Sequence, residues 1–184
     1  MTDKNSIGLL ELSSIAAGML AADTMLKTSN VELLLSRSIC SGKYMVLIGG
    51  DVAAVKSAVD TAAGVSGFSV IDSFIIPNID EQIFPAISGH TPVMQLESLG
   101  IVETFSVAAC IEAADAAVKA ANIQLIELRL AMALGGKAFF TCTGEVAAVN
   151  AAVEAGAAIA SQKGLLVNKV IIAAPRQELL GEMI

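Results

Sequence analysis

The chain is written twice. Residues 8–33 align with 100–125 at an offset of 92, and 11 of these 26 positions are identical. The matches include Gly8/Gly100, Glu11/Glu103, Asp23/Asp115, Lys27/Lys119 and Asn30/Asn122, which shared alanine richness does not bring into order. Over residues 42–59 the offset becomes 94, with 9 of 18 positions identical, among them Gly42-Lys43 against Gly136-Lys137. The second copy therefore carries two extra residues just before that Gly-Lys. Ordered self-similarity of this kind marks a duplicated domain.

Each copy reads strand, helix, strand, strand, helix, strand. In the first, residues 7–12 form a short apolar run and Ser13-Ser14 offers a helix N-cap. Ile15, Met19, Ala22 and Leu26 then recur at helical spacing through Lys27. Asn30 turns the chain into a strand over 31–38, and Gly42 separates it from another over 44–48. Gly49-Gly50-Asp51 is a turn and cap for a helix over 52–63, and Gly67 punctuates before a last strand over 68–76. In the second copy the same plan predicts strands over 100–103, 123–132, 138–142 and 165–172, with helices over 107–120 and 146–160. The fold class expected is α+β, two tandem ferredoxin-like domains, each an antiparallel sheet with two helices on one face. The domains are placed at 1–84 and 99–184, joined by a linker over 85–98 within a Pro/Gly-punctuated stretch from Pro77 to Ser98. A short terminal helix is expected over 176–183.

Composition narrows what such a pair of domains can do. The 184 residues are 55% hydrophobic and only 4% aromatic, with a mean hydropathy of +0.72. Glu103, Glu112, Asp115, Glu145 and Glu154 interrupt the apolar stretches, so none reaches the roughly 18 uncharged residues of a membrane span. The opening Met-Thr-Asp-Lys-Asn-Ser lacks the pattern of a signal peptide, and a cytoplasmic location is expected. The apolar surplus exceeds what a domain of about 90 residues can bury, which points to subunit interfaces. A net charge of −7 with only 11 scattered Lys and Arg argues against nucleic acid. Cys40, Cys110 and Cys142 are odd in number and show no CxxC spacing, so neither a disulfide framework nor a metal site within one chain is expected. Cys110, in an Ala-rich helix, and Cys142, in an apolar strand, read as core. His90, the lone histidine, reads as polar surface. No Ser–His–Asp set, paired-carboxylate site or phosphate loop emerges, so no catalytic chemistry is read from the residues.

The ordered motifs resemble the bacterial microcompartment shell-domain family, twice and over nearly the whole chain. They are Gly-Leu-Leu-Glu-Leu at 8–12 with Gly-Ile-Val-Glu-Thr at 100–104, and Ala-Asp-x-x-x-Lys-x-x-Asn at 22–30 and 114–122. Gly-Asp-Val-Ala-Ala-Val at 50–55 and Gly-Glu-Val-Ala-Ala-Val at 144–149 complete the set, with the strands in unpermuted order. The resemblance implies a homotrimer that imitates the hexamers of single-domain members and meets other shell proteins edge to edge. It gives Lys27 and Lys119 the tile-edge role of bridging neighbours.

Tandem members from propanediol-utilising compartments carry an iron–sulfur cluster at the trimer centre, held by a Cys-Pro-Gly-Lys loop. Cys40-Ser41-Gly42-Lys43 is similar to that loop, with Ser41 in place of the proline. The resemblance thus implies Cys40 as metal ligand to one [4Fe–4S] cluster per trimer. Ser41 and Gly42, with Leu134, Gly135 and Gly136 from the second copy, would complete the central loops. Lys43 and Lys137 open the following strands and either offset the cluster's charge or point away. Glu11 and Glu103 read as solvated charges or interface hydrogen-bonding groups. Electron or cluster transfer across the shell, with a redox enzyme of the lumen as partner, follows as an expectation. Two alternatives stand beside it: a tile whose centre is a metabolite pore without metal, and a trimeric ferredoxin-like regulator that binds ligand between subunits.

Overall fold

The computed structural model describes residues 5–39, 42–89, 91, 93, 95–130 and 135–179. Two compact units divide the chain, Met1–Ile79 and Asp80–Ile184. The first runs β1 (Ser6–Leu12), α1 (Ile15–Thr28), β2 (Glu32–Ile39), β3 (Lys43–Gly50), α2 (Val52–Ser66) and β4 (Val70–Pro77). Its single sheet has the order β2-β3-β1-β4, antiparallel throughout. Side chains alternate across a strand, so Leu10 and Leu12 of β1 share a face with Tyr44, Val46 and Ile48 of β3. Met25 from α1 and Val55, Ala58 and Val59 from α2 close the core over that face. Each large side chain buried there contributes about 1.5–3 kcal/mol of hydrophobic stabilisation.

One glycine in each copy sets how closely the second helix sits on the sheet. A Cβ on Gly8 would lie 2.6 Å from Val59 and 2.7 Å from Val55. On Gly100 it would meet Val153 at 2.7 Å and Val149 at 2.8 Å, and these are the repeat equivalents. The helices start where the sequence says they should. The Ser14 and Ser106 hydroxyls accept from the Ala17 and Ala109 N–H groups, and the Asp51 carboxylate accepts from Ala54 N–H at 2.9 Å.

The second unit opens with α3 (Ile83–Ser88) and continues β5 (Leu99–Thr104), α4 (Val107–Ala120), β6 (Gln124–Leu130), β7 (Ala138–Thr143), α5 (Val146–Gln162) and β8 (Leu166–Ile172). Its sheet order, β6-β7-β5-β8, is that of the first. Even the irregularities recur: the register shifts at Glu11/Leu12 and Leu33/Leu35 reappear at Glu103/Thr104 and Leu125/Glu127. Ser38 pairs with Tyr44 and Leu130 with Ala138, the equivalent positions, so the two extra residues lie in the β6–β7 connection. The expected α+β, ferredoxin-like fold is the fold observed.

The differences from expectation lie between elements. The stretch read as a linker begins inside a helix: α3 packs along β6 and belongs to the second unit. Residues 80–84, assigned by sequence to the first domain, go with it. Pro85 misled because it is the third residue of α3, within the first turn, where a missing N–H costs no helical bond. At β4 the apolar Phe68 suggested strand. It is fully exposed in a 3-10 turn, Gly67–Ser69, and β4 begins at Val70. Helix α2 runs to Ser66, three residues past the expected end. Strand β6 ends at Leu130, and residues 131–134 lie outside the described residues. Of the terminal helix expected over 176–183, the described part is a 3-10 turn, Gln177–Leu179.

Candidate functional site

The β2–β3 and β6–β7 connections are the loops that sequence singled out. Cys40, Ser41 and Leu134 lie outside the described residues, as does His90. The described part has a common geometry. Gly42 has φ +73°, and Gly135 and Gly136 have φ +63° and +88°, left-handed values that a side chain would strain. A Cβ added at any of the three would meet nothing within 4 Å, so the backbone here is openly approachable.

Each loop leads into a matched ion pair. Lys43 Nζ donates to Glu11 Oε1 at 2.7 Å, and Lys137 Nζ donates to Glu103 Oε1 at 2.5 Å. Both pairs lie on the helix-free face, opposite Leu10 and Val102. The two lysines are therefore engaged along their own sheets, and the matched acids hold them there. Matching Glu and Lys positions in the repeat already carried this signal, since Glu11 and Lys43 sit on adjacent strands of one register.

Lys27 and Lys119, expected at the tile edge, end equivalent helices but differ in setting. Lys27 pairs with Asp23 at 2.5 Å, both well exposed. Lys119 pairs with Asp115 at 2.6 Å, and there the acid is buried. Asp115 also accepts from the Asp80 backbone N–H at 2.8 Å. Beside it, the Gln82 side chain accepts from Leu125 N–H at 3.0 Å and donates to the Ile123 carbonyl at 3.2 Å, pairing with the edge of β6 as a strand would. Sequence reasoning missed this clamp, because neither Asp80 nor Gln82 has an identical residue at the matching place in the second copy.

Cys110 and Cys142 are buried, and burial pushes both thiols up, Cys142 to about 12 and Cys110 further. A group held protonated this firmly is a poor metal ligand, and both belong to the core as expected. Among the described residues no group of three or more His, Cys, Asp or Glu side chains gathers within the chain. Two open hollows occur in the second unit. One, of about 360 Å³, lies between Asn122, Gly144 and Glu145 at the start of α5. The other, of about 320 Å³, lies over Leu99, Ile101 and Phe139, where Arg129 stacks 5.6 Å from the Phe139 ring and pairs with Glu127. Neither assembles a nucleophile with a base. Among the described residues no helix is long and apolar enough to cross a membrane.

Two equivalent β-α-β-β-α-β units, each with a glycine-turned connection between its middle strands and a lysine ending its first helix, define a tandem-repeat α+β protein. Residues 6–79 and 98–175 each match the family model described as the BMC domain, and the chain belongs to that bacterial microcompartment family. It is 46% identical over 179 residues to the bacterial microcompartment shell protein PduT of Citrobacter freundii, covering 97% of each chain. A crystal structure of a microcompartment protein from Desulfitobacterium hafniense DCB superposes with a TM-score of 0.93 at 49% identity, over 96% of this chain and 98% of that one. The shell protein EutM of Salmonella typhimurium is 42% identical over 84 residues, which is 46% of this chain and 85% of EutM. That length corresponds to one copy of the repeat.

Proposed function

We propose that three chains close into a pseudohexameric ring, a structural tile of a microcompartment shell, with one [4Fe–4S] cluster held on the threefold axis by three copies of Cys40. The observation that carries the reading is the pair of equivalent loops, Gly42 in one copy and Gly135-Gly136 in the other, with left-handed backbones open to approach. Six near-equivalent domains in a ring bring those loops to its centre, and symmetry supplies the thiolates that one chain lacks. Lys43 and Lys137 are engaged by Glu11 and Glu103, so the negative charge of such a cluster would be met by backbone N–H groups of the open glycine loops. A four-iron cluster usually takes four thiolates, so three leave one iron for solvent or a docking partner. Such a group supplies one-electron transfer, and its place at the centre of a wall suits movement of electrons or of the cluster itself across the shell. The chain performs no catalysis of its own in this reading. Location in the shell within the cytoplasm, and contact with other shell proteins along edges bearing Lys27 and Lys119, follow from the family.

The test is anaerobic reconstitution with iron and sulfide, followed by metal analysis and an absorption spectrum. Wild-type protein should hold about four iron per three chains and be brown. Cys40→Ser should lose both while staying a trimer, and the same change at Cys110 or Cys142 should keep them. Wild-type protein without iron, or a Cys40→Ser variant with as much, would replace the cluster by an open metabolite pore.

A further inference from the structure

The two copies differ in how one equivalent face is covered. On α1 and β2, Ile15, Met19 and Leu33 are 44%, 59% and 38% exposed, whereas their equivalents on α4 and β6, Val107, Ile111 and Leu125, are 3%, 0% and 0% exposed. The side chains are alike, so the difference lies in the cover and not in the residues. Single exposed apolar residues are ordinary, but three in one patch whose counterparts are all buried mark a missing neighbour. In the second unit the neighbour includes the segment that follows β4. Asp80 N–H is bound by Asp115, Gln82 bridges Ile123 and Leu125, and Ile83 is 0% exposed.

An equivalent segment follows β8. Ile7 pairs with Ile76, and its counterpart Leu99 pairs with Ile172, so beyond the last strand the repeat offset is 172 − 76 = 96. Arg176, Glu178 and Leu179 therefore stand where Asp80, Gln82 and Ile83 stand in the first. Gln177 is held by its own unit, donating to the Leu96 carbonyl at 2.8 Å and accepting from Leu96 N–H at 3.1 Å, while Leu179 stays 41% exposed and the Arg176 guanidinium meets only the exposed Glu178 carboxylate, at 3.2 Å, among the described residues.

We propose that the segment after β8, carrying Arg176, Glu178 and Leu179, docks on α1 and β2 of a second copy of this chain. It does so as the segment from Asp80 to Ser88 docks on α4 and β6, and the proposal rests on the ring reading above. Asp23, the equivalent of Asp115, receives the Arg176 backbone N–H, and the guanidinium brings it an opposite charge where the first copy had Asp80. Leu179 covers the patch of Ile15, Met19 and Leu33. Glu178 keeps the acceptor that Gln82 offers to Leu125 N–H, now aimed at Leu33 N–H, and gives up the donor. Asp23–Lys27 and Arg176–Glu178 are exposed pairs whose rearrangement costs little. The contact is head to tail, so each chain offers one docking segment and one receiving face, and a closed ring satisfies them all.

Light scattering through a dilution series tests it on the full chain, with circular dichroism to confirm folding of each variant. Asp23→Arg and Arg176→Glu should each raise the concentration at which the trimer dissociates by about tenfold or more, since like charges then meet at the contact. Combining them should bring it back to near the wild-type value. Leu179→Asp should weaken the trimer similarly, with no rescue from either charge change. Trimers from all three single variants that dissociate like wild type would overturn the docking and leave the ring standing. Losses without rescue in the double variant would overturn the pairing of Arg176 with Asp23. A wild-type chain that is monomeric throughout would overturn the ring reading itself.

Discussion

Gly18 of α1 lies flat against the ring of Tyr44 on β3: a Cβ added to Gly18 would sit 2.3 Å from Tyr44 Cδ1 and 2.4 Å from Cγ. The second copy holds Cys110 and Ala138 at these two positions, so the larger residue has moved from strand to helix. In the first copy the missing Cβ makes room for the ring, and in the second a small strand residue makes room for a helix side chain, so the steric demand is met from opposite sides. Gly18→Ala should therefore destabilise the first copy by about 1–3 kcal/mol through overpacking. Tyr44 is the sole tyrosine, and near-ultraviolet dichroism reports its surroundings specifically during thermal unfolding. Gly18→Cys with Tyr44→Ala should be milder than Gly18→Cys alone, and a double variant as damaged as the single would contradict the exchange.

Helix capping offers a gain of stability. Asp51 caps α2 through its carboxylate, whereas its equivalent Glu145 makes no side-chain bond at the start of α5 although its backbone is similarly extended. One methylene too many carries the carboxylate past the N–H groups. Glu145→Asp should stabilise the second copy by about 0.5–1 kcal/mol, and Asp51→Ala should cost the first about 1 kcal/mol. Thermal denaturation of the two variants against wild type measures both signs.

The buried thiols set a pH dependence. Below pH 9 Cys110 and Cys142 are protonated both folded and unfolded, and their contribution is complete. Above it the unfolded chain ionises them while burial holds the folded thiols neutral, Cys142 until about 12. Stability should fall with rising pH in that window, by about 1.4 kcal/mol per pH unit for each thiol. Cys142→Ala should flatten the slope of melting temperature between pH 9 and 11. An unchanged slope would mean that Cys142 ionises in the folded protein.

Assembly into sheets is expected to depend on the helix-end lysines. Lys27→Ala combined with Lys119→Ala should leave the trimer intact and stop extended sheets from forming, as electron microscopy of the purified variant would show. Normal sheets would make both residues ordinary surface charges.

Much of this architecture was legible in the chain because the repeat checks itself. Gly8 and Gly100 match since each lies beneath two valines of its copy's second helix, and Ser14 and Ser106 match since each caps the first. What escaped was of two kinds. The helix α3 was hidden by Pro85, Gly89 and Pro92, read as punctuation, when Pro85 in a first turn breaks no bond. The clamp of Asp80 and Gln82 on Asp115 and β6 was hidden because it joins residues 35 and 43 positions apart and neither residue type recurs at the matching place after β8. Periodicity identifies elements that bury a face. It is silent about a side chain that completes the edge of another strand.

Native mass spectrometry of the wild-type chain, purified and reconstituted without oxygen, tests the central claim most directly, because one spectrum counts both chains and clusters. A single species of three 18.8 kDa chains carrying the mass of one four-iron, four-sulfide cluster is expected. A stable monomer at micromolar concentration would contradict the ring, and a trimer of bare polypeptide mass would contradict the cluster at its centre.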